Sequence, residues 1–341
     1  MSASEAAEVP HPRETLSLYG HAEAEQAFLD AYRGSRMPHA WLIGGPRGIG
    51  KATLAYRMAR FVFAYPDQAG EEVSKAASLA LPPDHPAVRR VGAQAHSDML
   101  VLERTEGDSG KLRTVIQVDD VRRTISFFGS TAGEGGWRVC IVDAADELNA
   151  AGANALLKIL EEPPAKALLL VVSHAPGRLL PTIRSRCRRL ALRPLAADDV
   201  AHAAADALGR DAGEADIRAA AAASDGSVAR AIDLLGGAAL AVRARVNTML
   251  AALPAVDPRE LHALGDALGR GDESALTAFV DAVRDWLSAR LIAGAEPGRL
   301  VRMADVWDKL NRAARDTEVF HLERKPMVFN VFGWLAEASR G

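Results

Sequence analysis

The chain has 341 residues, 49% hydrophobic and 25% charged, enough for two or three domains with substantial cores; a small disulfide-stapled scaffold and a disordered polymer are both excluded. Lys+Arg 41 against Asp+Glu 44 leaves a formal charge of −3, so wholesale coating of nucleic acid or of an anionic membrane is excluded and any basic patch must be local. Two cysteines, Cys140 and Cys187, lie outside any CxxC pair, which excludes a disulfide framework and a four-thiolate zinc site and fits a reducing cytosol.

Residues 1–12 carry Glu5 and Glu8 without a long apolar run, and no later stretch reaches the ~18 apolar residues of a membrane span, so a soluble, cytoplasmic protein is expected. The first β-rich run, Ala40–Gly44, leads through a glycine loop into a helix ending near Phe63. Residues 66–96 are polar, contain Pro82, Pro83 and Pro86, and lack periodicity; they are predicted to be an exposed insertion. Further strands are predicted at Met99–Leu102, Val115–Val118, Arg138–Asp143 and Ala167–Ser173, the last two being nearly continuous apolar runs of the kind buried in parallel sheets. Val121, Ile125 and Phe128 repeat at helical spacing behind Asp119 and Asp120; Ala153, Leu156, Leu157 and Leu160 form a second stripe, ended by Glu161-Glu162-Pro163-Pro164. Both read as crossover helices. The alternation predicts an α/β domain over residues 1–193, a doubly wound parallel sheet with helices on both faces. Helical segments at 196–208, 214–223 and 228–235 predict a small helical domain over 194–240. A Gly236-Gly237 break precedes a wholly helical remainder, 241–341, with stripes such as Leu261, Leu264, Leu268 and Phe279, Val283, Trp286, Leu287.

The segment from Gly45 through Gly48, Ile49, Gly50 and Lys51 to Ala52 lies between a strand and a helix, the setting in which loop amides cradle a phosphate and a lysine reaches its oxygens. A hydroxyl is needed after the lysine to hold Mg²⁺, and Ala52 has none. Thr53 is one step further, and one helical step turns a side chain by roughly 100°. The strand 138–143 ends at Asp143, where an ATPase needs a metal-organising carboxylate and then a water-activating base; the next residue is Ala144, and Glu147 lies further on, in or near the next helix. From these residues two readings stay open: a degenerate nucleotide site made of Gly45, Gly48, Ile49, Gly50, Lys51, Ala52, Thr53 and Asp143, or a loop kept for its turn.

Taken with His39-Ala40, His96-Ser97-Asp98, the run Ala153–Lys158 leading into Leu160–Pro164, and Pro181–Cys187, these motifs resemble, in order, the AAA+ clamp-loader family of bacterial DNA polymerase III. The resemblance implies an AAA+ sheet domain, a helical lid and an all-α collar used for oligomerisation. The degenerate loop looks like the δ′-type branch, since motor subunits keep Ser or Thr after the lysine and an Asp-Glu pair. In Gly226-Ser227-Val228-Ala229-Arg230, Ala229 stands where motor subunits place a nucleotide-sensing arginine, and Arg230, displaced by one, reads as a solvated helix residue. Ser185-Arg186-Cys187 matches the position from which an arginine reaches a neighbour's ATP, so Arg186, read as lying just after a sheet strand, is the candidate catalytic residue acting in trans, with Arg184, Arg188 and Arg189 as supports. Relatives carry a four-cysteine zinc module between residues 61 and 98, where this chain has no cysteine, so no zinc and no other metal site is expected; His85 and His96 read as surface or packing residues. The function implied is a non-motor subunit partnered by γ/τ-type motor subunits and a δ-type subunit, meeting the sliding clamp and primed DNA through the complex and no membrane. ATP with Mg²⁺ is its cofactor only at a weak or vestigial site. The alternatives are a clamp-loader-type ATPase that hydrolyses ATP itself and a sequence-tolerant DNA-binding module using Arg122, Arg123 and the basic turn at Arg186. Asp281, Asp285 and His321 read as solvated or capping residues.

Overall fold

The computed structural model describes residues 9–34, 37–106, 113–129, 133, 136–236, 238–270, 273–293, 297–320 and 322–340. The chain divides into two compact units, Met1–Glu214 with Asp225–Ala229, and Ala215–Ser224 with Arg230–Gly341. In the first, chain order is α1 (Ala22–Arg33), β1 (Ala40–Gly44), α2 (Lys51–Ala64), α3 (Glu71–Lys75), α4 (Pro86–Gly92), β2 (Met99–Glu103), α5 (Val118–Gly129), β3 (Arg138–Asp143), α6 (Ala150–Glu161), β4 (Ala167–Ser173), α7 (Pro181–Arg186), β5 (Arg188–Ala191) and α8 (Ala197–Leu208).

The five strands form one parallel sheet in the order β2-β3-β4-β1-β5. Its three central strands are the apolar runs: every residue of β1 and β4 is buried, and all of β3 except Asp143. Alternation sorts their side chains into two cores. Trp41, Ile43, Val139, Ile141, Leu168, Leu170 and Val172 pack with α1 and α2 on one face, and Ala40, Leu42, Cys140, Val142, Leu169 and Val171 pack with α5, α6 and α7 on the other. Both faces are covered, as the apolar runs predict; each fully buried aliphatic side chain contributes about 1.5–3 kcal/mol. Among the described residues no helix is long and apolar enough to cross a membrane.

Three expectations are corrected. Val115–Val118 is no strand: Ile116 makes a single parallel bridge to Leu148, and Val118 already begins α5, because Asp119 and Asp120 favour a helix N-terminus. The fifth strand is instead β5, whose Arg188-Arg189-Leu190-Ala191 has no apolar run; an edge strand needs only one neighbour, and here Trp41 and Ile43 pair with Arg188 and Leu190. The segment 66–96 is not an exposed insertion. It carries α3 and α4, and Val73, Leu79 and Val91 are 1% exposed or less within the core of α1 and α2. The two histidines of this region are local fixtures. His85 Nδ1 accepts from Ala87 N at 3.1 Å and caps α4, and His96 stacks on Phe63 with 3.7 Å between ring centroids.

The second unit is all helical: α9 (Ala215–Ala222), α10 (Val228–Leu235, from Arg230 onward), α11 (Ala239–Ala251), α12 (Pro258–Arg270), α13 (Glu273–Ala293), α14 (Pro297–Val319) and α15 (Arg324–Ser339). The predicted stripes are its core: Leu264, Leu268, Phe279, Val283 and Leu287 are fully buried, with Leu310, Val331 and Phe332 from the last two helices. Arg230 and Asp281 are three-quarters buried rather than solvated, and Asp285, although 40% exposed, is ion-paired. Arg230 pairs with Asp285 at 3.0 Å and Asp281 at 3.5 Å, and the buried Arg243 also donates to Asp285, at 2.5 Å. Helical spacing brings Asp281 and Asp285 to one face of α13, where two arginines meet them. His321 lies outside the described residues.

The corrected segment is directly testable. Leu79→Ala should lower unfolding stability by about 2–4 kcal/mol in denaturant titration, the range for a leucine truncated inside a packed core; an exposed insertion would show no change.

Candidate functional site

All the strands being parallel, the C-terminal ends of β1, β3 and β4 open at one edge of the sheet, and the loop 45–50, Asp143 and Ser173 meet there. The loop turns on left-handed glycines. Gly48 has φ +76°, and a Cβ there would collide with Ser227 Oγ and Ala229 Cβ, so only glycine fits. Gly50, with φ +93°, is the residue from which α2 starts.

Three carbonyls of the loop, those of Pro46, Gly48 and Ile49, are tied by hydrogen bonds. Val228 N donates to Gly48 O at 2.9 Å and Ala229 N to the same oxygen at 3.4 Å. His21 Nε2 donates to Ile49 O at 2.6 Å. Lys51 Nζ donates to Pro46 O. Lysine is thereby folded onto its own loop and only 4% exposed. Ala52 and Thr53 follow in the first turn of α2, both half-buried.

Charge around Lys51 is dense. Burial lowers the Lys51 ammonium to about 8, against the pull of Asp143 and Asp146, with Arg47 adding to the lowering. Asp143 is pushed up to about 6, first by burial and then by Glu103 and Glu147, with Lys51 and Arg47 opposing. Burial also acts to raise Asp146, but hydrogen bonds from His174 N, Ser173 Oγ (2.9 Å) and Ala175 N (3.0 Å) outweigh it and hold that carboxyl below its ordinary range. His174 is lowered by burial and by Lys51 and Arg47. Glu147 lies in the 3₁₀ turn Ala145–Glu147, salt-bridged to Arg104 at 2.8 Å and Arg47 at 3.6 Å.

The donor set fits a phosphate better than a metal-bound phosphate. Lys51 and Arg47 offer cations beside the loop amides, whereas Ala52 supplies no side-chain oxygen and Asp143 is the carboxylate at the end of β3 that would face a metal. His21, Asp146 and His174 went unnoticed in the sequence; only the spacing of Asp146 three residues after Asp143 could have singled one of them out.

Arg186 takes partners outside this loop. It ends α7, immediately before β5, and does not follow a strand directly; its guanidinium donates to Thr182 O at 3.0 Å and pairs with Glu161 at 3.0 Å. Arg188 lies over the Trp41 ring, 4.9 Å from its centroid, while Arg189 is exposed.

A model of the protein family described as DNA polymerase III, delta subunit matches residues 20–196, the stretch that holds the sheet, the loop and Arg186. Over 149 residues the chain is 39% identical to DNA polymerase III subunit delta' of Pseudomonas aeruginosa, spanning 44% of this chain and 41% of that protein. It is 32% identical over 169 residues to DNA polymerase III subunit delta' of Escherichia coli, spanning 50% and 46%. The aligned stretches cover less than half the length of these curated relatives. Among solved structures, a DNA polymerase III gamma subunit-related protein from Thermotoga maritima aligns over 94% of this chain and 100% of that chain, at 17% identity and a TM-score of 0.42.

The raised Asp143 predicts a pH signature. Between pH 4 and 6 the unfolded chain has ionised this carboxyl while the folded chain still holds the proton, so its contribution to stability falls as pH rises through that window. Asp143→Asn should melt with the wild type near pH 4 and be more stable at pH 7, by about 3 kcal/mol. A pH-independent difference between the two proteins would contradict the assignment.

Proposed function

The chain belongs to the DNA polymerase III delta-subunit family, and on that premise we propose that it is a δ′-type, non-motor subunit of the clamp loader, helping to place the sliding clamp on primed DNA. In this reading γ/τ-type motor subunits and a δ-type subunit are its partners, clamp and DNA are met through the complex, and the setting is cytoplasmic. One asymmetry supports it most. The nucleotide loop keeps its glycines and Lys51 but lacks a metal-binding hydroxyl after the lysine and a base after Asp143, while Arg186 stands at the end of α7 with a third of its side chain in solvent.

Bound ATP with Mg²⁺ would supply phosphate charge and its counter-ion at the degenerate site. There Lys51, released from Pro46 O and charged at pH 7, would hold phosphate oxygens together with Arg47 and the loop amides, and Asp143 would face the metal. With Ala52 and Ala144 in place, these two positions supply neither the hydroxyl that completes a metal shell nor the carboxylate that activates water, so in this reading the site binds without turning over. Catalysis is exerted on a neighbour instead. Arg186, of fixed charge and planar donor fork, stabilises the charge that develops on the phosphates of an adjoining motor subunit, a contribution of ~10³–10⁵ in turnover for such fingers. Residues 194–240 act as the lid and the helical remainder 241–341 as the collar that holds the assembly together.

Purified alone, the chain should show negligible ATP turnover, unchanged in Lys51→Ala. Robust hydrolysis abolished by that substitution would promote the alternative, an ATPase in its own right. In a complex reconstituted with motor and δ-type subunits, Arg186→Ala should leave complex mass intact while DNA-stimulated ATP hydrolysis and clamp loading fall. Arg186→Lys should rescue poorly, since an ammonium lacks the fork. Clamp loading at the unmodified rate by the Arg186→Ala complex would remove the finger from the mechanism.

A further inference from the structure

Glu161 occupies a position that local helix physics disfavours. It is the last residue of α6, where unsatisfied carbonyls give the helix end a partial negative charge that suits cations. Pro163 and Pro164 prevent the helix from continuing, so the carboxylate is held at that end. Its counter-charge comes from another element: Arg186, at the end of α7, pairs with Glu161 at 3.0 Å through one terminal nitrogen and donates to Thr182 O at 3.0 Å through the other.

The two helix ends are set on shared packing. Leu156, Ile159 and Leu160 of α6 lie in one core with Leu179, Ile183 and Cys187, the last two flanking Arg186 in the chain. The backbone that carries the pair is therefore fixed, while the pair itself stays in solvent, its side chains 36% and 50% exposed. An ion pair this exposed contributes little to folding. It does something else. An arginine side chain loses rotamer entropy when it is ordered, and a guanidinium pinned from two sides has lost part of that freedom before any ligand arrives. Two bonds, one to each terminal nitrogen, leave the Nε hydrogen and one hydrogen on each terminal nitrogen for an outside acceptor.

We propose that Glu161 is a positioning residue for Arg186: it orients the guanidinium for phosphate oxygens presented by a neighbouring subunit. The inference rests on the finger reading above.

The test uses the reconstituted complex, with assembly checked by mass, and reads kcat and KM for ATP in DNA-stimulated hydrolysis. Glu161→Ala should lower kcat about threefold to tenfold with KM unchanged, the signature of a group that acts on the transition state rather than on ATP binding. Glu161→Gln, which keeps an acceptor oxygen, should retain most of the activity. In an Arg186→Ala background, Glu161→Ala should add no further loss. A kcat unchanged or raised by Glu161→Ala, or a loss that adds fully to that of Arg186→Ala, overturns the positioning role while the finger stands. If Arg186→Ala itself leaves hydrolysis unchanged, the finger reading fails, and Glu161's role with it.

Discussion

Parallel pairing of β1 with β4 on one side and β5 on the other is the constraint on which the functional end of the molecule depends. A strand with two parallel neighbours and a helical layer on each face has no solvent edge, so its residues must be apolar throughout and its polar groups are expelled to its ends. In register, Gly44 stands beside Ser173, and the loop that leaves β1 opens where β3 and β4 also end. Residues more than ninety positions apart in the chain, Lys51 against Asp143 and Asp146, are brought together by that pairing.

Crowding at this edge sets the chemistry of the charges. Desolvation works against the charged forms of Lys51, Asp143, Asp146 and His174 alike, and what distinguishes them is who answers it. Asp146 receives two backbone N–H groups and a hydroxyl and stays easily ionised; Asp143 faces Glu103 and Glu147 and does not. Lys51 lies between these carboxylates and its own loop carbonyl. The same edge therefore gathers Lys51 and Arg47 beside the loop amides, while Ala52 and Ala144 present no side-chain oxygen there.

Arg186 stands apart from this crowd, and its placement follows a different rule. Helix α7 is six residues long and is held by Ile183 alone among its residues, so its C-terminal arginine is projected from a fixed backbone without being buried. Glu161 meets it because α6 and α7 share one core, not because the two are near in sequence. A charge that is firmly carried yet solvated is suited to act on another molecule.

Read alone, the sequence determined the buried strands β1, β3 and β4, the crossover helices α5 and α6, the glycine loop and the stripes of the second unit, because each is written in local periodicity or in glycine and proline punctuation. It also determined, through Ala52 and Ala144, which oxygen groups the site lacks. Tertiary structure decided the rest. The edge strand β5 has no apolar run and exists only because β1 offers it a partner. Leu79 and Val91 are core residues only because α1 and α2 present a surface that covers them. The pairings His21 with Ile49, Arg230 with Asp281 and Asp285, and Glu161 with Arg186 join residues 25 to 55 positions apart. No local pattern encodes such pairs, since periodicity tells which side of an element a residue faces and only the packing of elements tells what it faces.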